Sequence, residues 1–490
     1  MVDVVSRRAI RSGGVVAALA AACVTAALSV HPQTVHAVGA PDIVVIVTDD
    51  QRLDQLDQMP NVAARLQARG VTFARAFTPD SLCCPSRVSI LRGQYSTTTG
   101  IWDIAGPYGG FDATRAAGLE QDTLATWLHD GGYRTALIGK YLNGYSRSNT
   151  SYVPPGWEEW DAFTNLPQSG GYYGYTLSTN GVERSWGAEP TDYSTDVLTR
   201  KATRFIAGTP TDRPLFLYLA YRAPHMPTTP GPGYLTDPRC GDESTVGEPS
   251  FNERDVSDKP GYVRSIPPLD AAEADDLGRV MPRRMCKTLQ SVDDGVGRVL
   301  DALESRGTLQ NTLVIYLSDN GYMLGEHRLR GKNLPYEESL RVPMILRFDP
   351  VTAGMAGRVD DALVANVDVA PTAVEAASVT PTVAFDGLSL LDVLSGGARR
   401  ADVPIESLGG FSWVTGVSVP SYCGVRTAGG WAYIRYDSGT VLRPDELYDL
   451  SSDPFELTNL AGNPAYAAKV DALRTRARAL CGAGPPGFSW

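Results

Sequence analysis

Apolar runs rich in β-branched residues recur along the chain and predict buried strands. They cover residues 42–47, 133–139, 214–221 and 312–321. Segments with helical periodicity lie between them; residues 287–305, for example, place leucines and valines on one stripe. Apolar strands that alternate with amphipathic helices predict an α/β domain around a buried, largely parallel sheet.

A polar motif follows each of these strands directly. Thr-Asp-Asp ends at residue 50, Gly-Lys-Tyr at 141, Ala-Pro-His at 225 and Ser-Asp-Asn at 320. Because ligands of open α/β sheets bind beyond the carboxyl ends of the strands, we expect the four motifs to meet in one site.

Two later regions depart from this repeating pattern. Residues 226–285 are rich in Pro, Gly, Asp and Thr and predict a long surface insertion that shapes substrate access. From residue 385 an alternating strand pair, a turn-rich stretch and a closing helix predict a smaller α+β subdomain. The predicted boundaries are therefore 41–384 for the main domain and 385–490 for the C-terminal subdomain.

The first 40 residues form a separate segment. A basic start, an apolar run and small residues before Ala40 are typical of a secretory signal, and Arg7-Arg8 favours the twin-arginine type. A membrane anchor and a lipoprotein modified at Cys23 are the alternatives, but the apolar run is slightly short for a membrane span. We expect a secreted or periplasmic protein without stable membrane insertion.

The charge balance limits the partners of the exported chain. The net charge is −11, and residues 1–40 contribute +2 from three arginines and one aspartate, which leaves −13 for residues 41–490. Such a chain lacks the basic surface expected for nucleic-acid binding and repels long polyanions. A small anionic substrate must therefore be held by local positive charge.

Six of the seven cysteines lie after residue 40. Outside the cytoplasm disulfides are allowed. Cys240–Cys286 and Cys423–Cys481 are the natural pairs because each lies within one region, although the sequence leaves other pairings open. This arrangement leaves the tandem pair at residues 83–84 without an evident disulfide partner.

Carboxylates and an amide follow two of the buried strands. Asp49 and Asp50 end the first strand, and Asp319 and Asn320 end the fourth. Alone, each pair is more simply explained by a helix cap or a turn. Together they form a set of hard oxygen ligands that suits Ca²⁺ or Mg²⁺ and neither zinc nor copper.

The tandem cysteines open the motif CCPSRVSILRG. Pro85 fits the first helical position and Gly93 the helix end, which places Cys83 just before a helix N-terminus. Partial positive charge and free N–H groups gather there, and Arg87 can reach back toward the same point. A merely reactive or buried thiol is the alternative, but it does not explain the Pro-Ser-Arg sequence.

This motif resembles the signature of the type I sulfatases, Cys-x-Pro-Ser-Arg followed by Leu and Gly. Over nearly all of residues 41–490 the family's order is kept by the motifs IVVIVTDDQ, GKYLNGY, YRAPHMP, SDNGYMLGEH, GKNLPYEESLRVPMI and ELYDLSSDPFELTNL. The paired cysteines and GKYLNGY are most similar to the N-acetylglucosamine-6-sulfatase branch. The resemblance implies an alkaline-phosphatase-like α/β sandwich, whose large central, mostly parallel sheet is flanked by helices.

The resemblance also implies a modified residue. In this family a formylglycine-generating enzyme oxidises the first cysteine of the motif to Cα-formylglycine, which would be Cys83, while Cys84 packs in a variable position. The hydrated aldehyde carries two hydroxyls on one carbon. One attacks sulfur and expels the alcohol, and the second then re-forms the carbonyl and releases sulfate.

The remaining roles follow from the same resemblance. The implied ligands of Ca²⁺, or of Mg²⁺, are Asp49, Asp50, Cys83, Asp319 and Asn320. Arg87 would orient the diol. Lys140 and Lys332 would clamp sulfate oxygens and the leaving oxygen, and His225 would protonate the leaving alcohol.

Two positions do not follow the family pattern in full. Many sulfatases have a histidine two residues after the lysine that corresponds to Lys140, where this chain has Leu142. Asn143 is our candidate for the missing hydrogen bond. His327, in Gly-Glu-His, is interpreted as either functional or structural.

We therefore predict an exported sulfatase that hydrolyses the sulfate ester of a sulfated sugar or an aryl sulfate. A phosphonate or phosphodiester hydrolase with the same formylglycine site is one alternative, because phosphate analogues are tetrahedral anions of similar size. A non-catalytic sulfated-glycan binding protein with unconverted Cys83 is the other, but it would not need the acid His225. Similarity to one branch favours a 6-sulfated hexosamine.

Overall fold

The structure is a computed structural model, and it describes residues 39–145, 150–165, 170–241, 244–411, 416–437 and 445–490. The predicted signal segment lies outside the described residues, except for its last two positions. Within the described residues, no helix combines the length and the apolar character that a membrane crossing requires.

The secondary structure follows the alternating pattern expected from the sequence. The strands are β1 (Asp42–Asp49), β2 (Val71–Phe77), β3 (Arg134–Gly139), β4 (Glu159–Asn165), β5 (Thr176–Thr179), β6 (Val182–Ser185), β7 (Leu215–Pro224), β8 (Thr312–Ser318), β9 (Met323–Leu324), β10 (Arg330–Gly331), β11 (Met344–Arg347), β12 (Arg358–Ala365), β13 (Asp402–Ser407), β14 (Gly410–Phe411), β15 (Ser418–Val419), β16 (Tyr422–Thr427), β17 (Trp431–Tyr436) and β18 (Asp445–Asp449). The α-helices are α1 (Pro60–Arg65), α2 (Cys83–Arg92), α3 (Ser96–Thr99), α4 (Gly110–Ala116), α5 (Leu124–Asp130), α6 (Ser194–Ala207), α7 (Gly261–Arg264), α8 (Ala271–Asp275), α9 (Met281–Arg306), α10 (Glu337–Leu340), α11 (Asp349–Thr352), α12 (Val369–Ala377), α13 (Leu390–Leu394) and α14 (Ala467–Cys481).

The main sheet is mixed, with five parallel strands at its centre and a parallel pair, β12 and β2, at one edge. In the described part of the chain it contains ten strands in the order β12-β2-β11-β8-β1-β7-β3-β4-β5-β6. Strands β8, β1, β7, β3 and β4 run parallel, whereas β11, β5 and β6 pair antiparallel with their neighbours. Strand β1 lies in the middle, where Val45 pairs with Tyr218 of β7 and with Ile315 of β8.

Helices on both faces of the sheet explain the uninterrupted apolar run of β1. Ile43, Val45 and Val47 belong to one core cluster, which α2, α5, α12 and α13 complete. Val44 and Ile46 belong to the other, which α6 and α9 complete. A strand covered on both faces has no solvent side, so its sequence does not alternate.

A second, antiparallel sheet follows in the order β13-β16-β17-β18, and helix α14 packs against it. A disulfide joins Cys423 of β16 to Cys481 of α14, and another joins Cys240 to Cys286, so both predicted pairs are present. This sheet agrees with the smaller α+β region predicted at the C-terminus. The boundary between residues 384 and 385 remains a prediction.

Helix α2 begins earlier than the sequence pattern predicts. The expected first helical residue is Pro85, whereas the helix starts at Cys83 and its N-cap is Leu82. Proline is accepted at the third position because N–H groups in the first turn have no intrahelical acceptor. Gly93 ends the helix as predicted, with a φ of 68° that glycine adopts at little cost.

Candidate active site

The carboxyl ends of four adjacent strands bring the predicted motifs together. In the sheet order β8-β1-β7-β3, these strands lead into Asp319, Asp49, His225 and Lys140 respectively. Helix α2 adds Cys83 to the same group, 3.7 Å from Asp49 Oδ1. Neighbouring parallel strands end at one edge, and for that reason residues far apart in sequence meet there.

Asp49 is fully buried between basic groups. Its Oδ2 accepts hydrogen bonds from Lys140 Nζ at 2.6 Å and from Arg222 Nη1 at 2.9 Å, and its Oδ1 faces Cys83 Sγ at 3.7 Å. Burial by itself would raise the pKa of Asp49, but the surrounding basic groups, Lys140 foremost, hold that pKa well below its ordinary value. The carboxylate therefore stays ionised, with one oxygen held by cations and the other facing the cysteine.

Asp50 turns the chain at the end of β1. Its φ is 71°, in the left-handed region that aspartate tolerates better than most residues. The Asp50 N–H donates to Asp319 Oδ1 at 3.3 Å, and Asn320 Nδ2 donates to Asp50 Oδ1 at 2.7 Å. This turn fixes the two polar pairs that follow β1 and β8 against each other.

Lys332 lies among the oxygen atoms of the residues at and just after the ends of β1 and β8. Its Nζ contacts Asp50 Oδ1 and lies 2.6 Å from Cys83 Sγ. The same ammonium is 3.4 Å from Asn320 Oδ1 and 3.7 Å from Asp49 Oδ1. Burial would lower the pKa of Lys332, but Asp50 and its neighbours raise that pKa well above its ordinary value. The carboxylate and amide oxygens and the cysteine sulfur thus surround the positive charge of the Lys332 ammonium.

Arg87 ties helix α2 to the ends of β8 and β3. Its Nε donates to Asp319 Oδ2 at 2.8 Å, and its Nη1 donates to the Lys140 carbonyl at 2.9 Å. Burial would lower the pKa of Arg87, but Asp319 outweighs that effect and the pKa is raised. Burial, and next Asp49, raise the pKa of Asp319. The Arg87–Asp319 pair thus holds the first turn of α2, which begins at Cys83, against the end of β8.

His225 lies at the rim, with 24% of its side chain exposed. Its Nδ1 is 2.8 Å from the Met226 carbonyl oxygen; because a carbonyl only accepts, Nδ1 carries the proton. Its Nε2 lies 3.7 Å from Asp50 Oδ2. Burial, and then Arg222, lower the pKa of His225 well below its ordinary value. The neutral ring therefore turns an unprotonated Nε2 toward the carboxylates.

The two cysteines at the start of α2 lie in different surroundings. Both are buried, and neither belongs to a disulfide. Cys83 faces the ionised groups, whereas Cys84 packs in the hydrophobic core cluster on the α2 side of the sheet. Burial raises the pKa of Cys83, and it raises that of Cys84 to about 12. Only the first cysteine is presented to the polar groups.

The donor set fits a hard divalent cation. Four residues place a ligand atom within 4.8 Å of one another, and these are Asp49, Asp50, Cys83 and His225. Asn320 adds an amide oxygen beside them. Carboxylate and amide oxygens are the ligands that Ca²⁺ and Mg²⁺ prefer. Asp319, also a predicted ligand, here accepts hydrogen bonds from Asp50 and Arg87 instead.

Comparison with protein families gives two matches. A family model described as Sulfatase matches residues 41–379, more than half of the chain. A second, described as N-sulphoglucosamine sulphohydrolase, C-terminal, matches residues 325–481. The chain belongs to the sulfatase family. It is a sulfuric ester hydrolase, as the sequence predicts.

Individual relatives support this assignment. The human N-acetylglucosamine-6-sulfatase is 31% identical over 457 residues, which cover 86% of this chain and 81% of that protein. A Caenorhabditis elegans protein named as a Sulf-1 homolog is 33% identical over 361 residues, or 72% of this chain. The chain spans about half (49%) of the length of the nematode protein.

The fold of this sulfatase is also shared. A solved structure of a protein in complex with its substrate D-glucosamine-2-N,6-O-disulfate superposes with a TM-score of 0.74 at 24% identity. The match covers 92% of this chain and all of that one. The predicted alkaline-phosphatase-like architecture is thereby confirmed, and the antiparallel pairings of β11, β5 and β6 make its sheet mixed.

Arg222 is the residue of this sulfatase that sequence reasoning missed. Its Nη1 binds Asp49 and its Nε donates to the Gly170 carbonyl at 3.0 Å. A signal was present, since Arg222 is the charged residue near the end of β7, a strand buried along its whole length. A buried charge requires a partner, so Arg222 could have been predicted to pair with a carboxylate. The prediction for this motif named only His225.

Two further expectations concern Asn143 and His327. The Asn143 Oδ1 atom is buried and has no hydrogen-bond partner among the described residues, so its expected bond in place of the missing histidine has no support. His327 is fully buried and its Nδ1 lies 2.6 Å from Glu253 Oε2. It therefore belongs to a different polar cluster from the one around Cys83.

Proposed function

We propose that this chain is an exported sulfatase that removes the sulfate ester of a sulfated hexosamine, with formylglycine at position 83 and a divalent cation. The supporting observation is the place of Cys83 Sγ, 2.6 Å from Lys332 Nζ and 3.7 Å from Asp49 Oδ1. Burial raises the pKa of this thiol, and Asp49 adds to that effect. Lys140 and Lys332 lower that pKa but do not offset burial, so an unmodified thiol would stay protonated and be a poor nucleophile there.

The proposed cofactors match these surroundings. A formylglycine hydrate would supply a hydroxyl nucleophile, and Ca²⁺ or Mg²⁺ would polarise the sulfate group. The proposed ligands of the cation are Asp49, Asp50, Asp319, Asn320 and the converted residue 83.

The basic side chains would then act on the substrate. Lys332 Nζ contacts Asp50 Oδ1 and Cys83 Sγ, and its ammonium would donate to a sulfate oxygen held beside residue 83. Lys140, on the other side of Asp49, would serve the leaving oxygen. His225 would take up at Nε2 the proton that the attacking hydroxyl loses and pass it to that oxygen, while its Nδ1 remains bonded to the Met226 carbonyl.

The substrate class is inferred from the relatives. One relative is named for N-acetylglucosamine-6-sulfate, and the structural neighbour binds a disulfated glucosamine. A charge of −13 over residues 41–490 agrees with a short saccharide better than with a long, densely sulfated polymer. A 6-sulfated glucosamine unit is therefore the proposed substrate.

Mass spectrometry of the tryptic peptide Ala76–Arg87 tests the nucleophile. In active protein from a host with a formylglycine-generating enzyme, we expect an aldehyde at position 83 and an intact thiol at position 84. Active protein with thiols at both positions would refute the proposed chemistry.

A panel of esters tests the reaction. We expect the fastest turnover with glucosamine 6-sulfate, slower turnover with an aryl sulfate, and the slowest with a phosphonate monoester or a phosphodiester. The opposite order would favour the phosphonate hydrolase. Cation binding without turnover of any ester would favour a glycan-binding protein.

Export is tested on the N-terminal segment. We expect the secreted protein to begin near residue 41, and the Arg7→Lys, Arg8→Lys double variant to stay in the cytoplasm if the twin-arginine pathway carries it. Secretion of the double variant at the normal level would exclude that pathway.

A further inference from the structure

A second polar cluster lies apart from the groups around Cys83. It contains His327, Glu338 and Glu456, each of which places one ligand atom within 4.8 Å of the others. His327 is fully buried and Glu456 is 2% exposed. Two carboxylates this close repel each other unless a proton or a cation lies between them.

The histidine of this cluster is fixed in one orientation. His327 Nδ1 lies 2.6 Å from Glu253 Oε2. Lys259 Nζ lies 3.8 Å from the other oxygen of Glu253, which favours a carboxylate that accepts the Nδ1 proton. This leaves the lone pair on Nε2, and Nε2 is buried without a hydrogen-bond partner among the described residues. A histidine whose other nitrogen donates to a carboxylate is the usual state of a metal-ligating histidine.

The carboxylates show the same incomplete bonding. Glu338 Oε2 is buried and, in the described part of the chain, also lacks a hydrogen-bond partner. Glu456 Oε2 accepts from the Glu337 N–H at 3.0 Å, which holds that side chain in place. One nitrogen and one oxygen thus remain available where the three side chains meet.

The cluster has an access route. Glu338 also lines an open cavity of about 230 Å³ whose walls include Arg52, Glu248, Glu337 and Phe455. The neighbouring lysine, Lys259, is engaged by the carbonyl oxygens of Glu456 and Leu457, at 2.5 Å and 3.0 Å. A cation can therefore approach Glu338 through a cavity that four carboxylates and two guanidinium groups line.

We propose that His327, Glu338 and Glu456 form a second metal site, suited to Zn²⁺, with Glu253 as the carboxylate that orients the histidine. An imidazole nitrogen with two carboxylates is a zinc ligand set, whereas the oxygen-rich set at the end of β1 suits Ca²⁺ or Mg²⁺. The site lies where the loop between β9 and β10, helix α10 and the turn after β18 meet, and zinc would cross-link these segments. It does not depend on conversion of Cys83.

Zinc titration of the full-length protein tests the proposal. Protein stripped with a chelator is held in excess Ca²⁺, so that the oxygen-rich set is occupied, and Zn²⁺ binding is followed by calorimetry. We expect one equivalent to bind wild type and none to bind the Glu338→Gln variant. The matched control is Glu337→Gln, because Glu337 pairs with Arg426 at 2.8 Å and is not a proposed ligand.

Two further measurements keep the test decisive if a ligand variant folds poorly. Glu253→Gln retains all three ligands and should weaken zinc binding by about 10–100-fold. Crystals of wild type soaked in Zn²⁺ should show anomalous density between His327 and Glu338. The proposal is overturned if wild type binds no zinc in excess Ca²⁺, or if Glu338→Gln binds it as tightly as wild type, since a proton would then occupy the cluster.

Discussion

Two fully buried carboxylates in this protein are stabilised in different ways. One is Asp49, at the carboxyl end of the central strand β1, and the other is Glu446, in the C-terminal sheet. Asp49 is held by the charged groups Lys140 and Arg222. Glu446 accepts hydrogen bonds from three tyrosine hydroxyls at 2.6–3.0 Å, and these belong to Tyr336, Tyr436 and Tyr448. Burial raises the pKa of Glu446 despite these hydroxyls, whereas the pKa of Asp49 stays well below its ordinary value.

The difference separates a site from a structural cluster. Neutral hydroxyls satisfy the Glu446 oxygens completely and leave no charge available to a ligand. At Asp49 the charges balance only as a group, so a sulfate or a cation can enter and redistribute them. Substitutions in the first region should therefore change turnover, and substitutions in the second should change stability.

The largest expected effect contrasts the two cysteines. Cys83→Ala removes the proposed nucleophile, and turnover of a sulfate ester should fall by roughly 10⁴-fold or more. Cys84→Ala changes a core position next to it and should keep most of the activity. Steady-state kinetics on correctly folded protein measures both, and equal losses in the two variants would contradict the assignment of position 83.

Lys332→Met should give the next largest loss. The ammonium contacts Cys83 and Asp50, where charge develops in the reaction, so kcat/KM should fall by about 10²–10³-fold. Lys201→Met is the matched control, because Lys201 is similarly buried and pairs with Asp161 of β4. A comparable loss of activity in the control would show that the effect is structural.

Arg222→Met tests the residue that only the structure revealed. Without its guanidinium the Asp49 carboxylate loses one of the two groups that orient Oδ2, and Ca²⁺ affinity should fall by about 10–100-fold. Arg222→Lys retains the charge and should recover part of the loss. Calcium titration of the folded variant distinguishes this role from a general loss of stability. Normal calcium binding by the folded Arg222→Met protein would exclude the proposed role of Arg222.

Glu446→Ala should reduce stability and spare the chemistry. Three buried hydroxyls would lose their acceptor, and the free energy of unfolding should fall by about 2–4 kcal/mol. Glu446→Gln keeps an acceptor and should lose less. Urea unfolding measures the change, and a matching fall in kcat of the folded enzyme would remove the contrast with Asp49.

The last expected effect is a change of stability with pH, without loss of catalytic groups, and it comes from Glu406 of β13. Burial raises its pKa from 4.5 to about 8. Between these values the folded state keeps a proton on Glu406 that the unfolded state has lost. The contribution of Glu406 to stability is therefore fully present below pH 4.5 and is lost as pH rises to about 8. This group alone contributes a slope of up to about 1.4 kcal/mol per pH unit.

Glu406→Gln should remove that slope, because the amide does not titrate. Urea midpoints at pH 5 to 8, compared between wild type and variant, measure it. The exposed Glu375 of α12 provides the control, and Glu375→Gln should leave the slope unchanged. Parallel pH profiles for wild type and Glu406→Gln would show that another group is responsible.

Most of the fold could be predicted from local pattern. The apolar runs matched β1, β3, β7 and β8 within a few residues, because a strand buried on both faces cannot be polar. Three other strands were harder to predict, since β5, β6 and β11 have only four residues each and β11 lies between β8 and β2, a strand more than 250 residues earlier in the chain. Strand direction in such cases depends on the path of the chain, which no local pattern records.

The sequence by itself determined which residues can carry the chemistry, because the motif order places Asp49, Lys140, His225 and Asp319 after strands that end at one edge. Only the tertiary structure decided which side chains of the site contact each other. It placed Lys332 beside Cys83, paired Arg87 with Asp319 and brought Arg222 to Asp49. The physical reason is that strand ends follow from local hydrophobicity, whereas the partner of a buried charge depends on packing between segments that can be hundreds of residues apart.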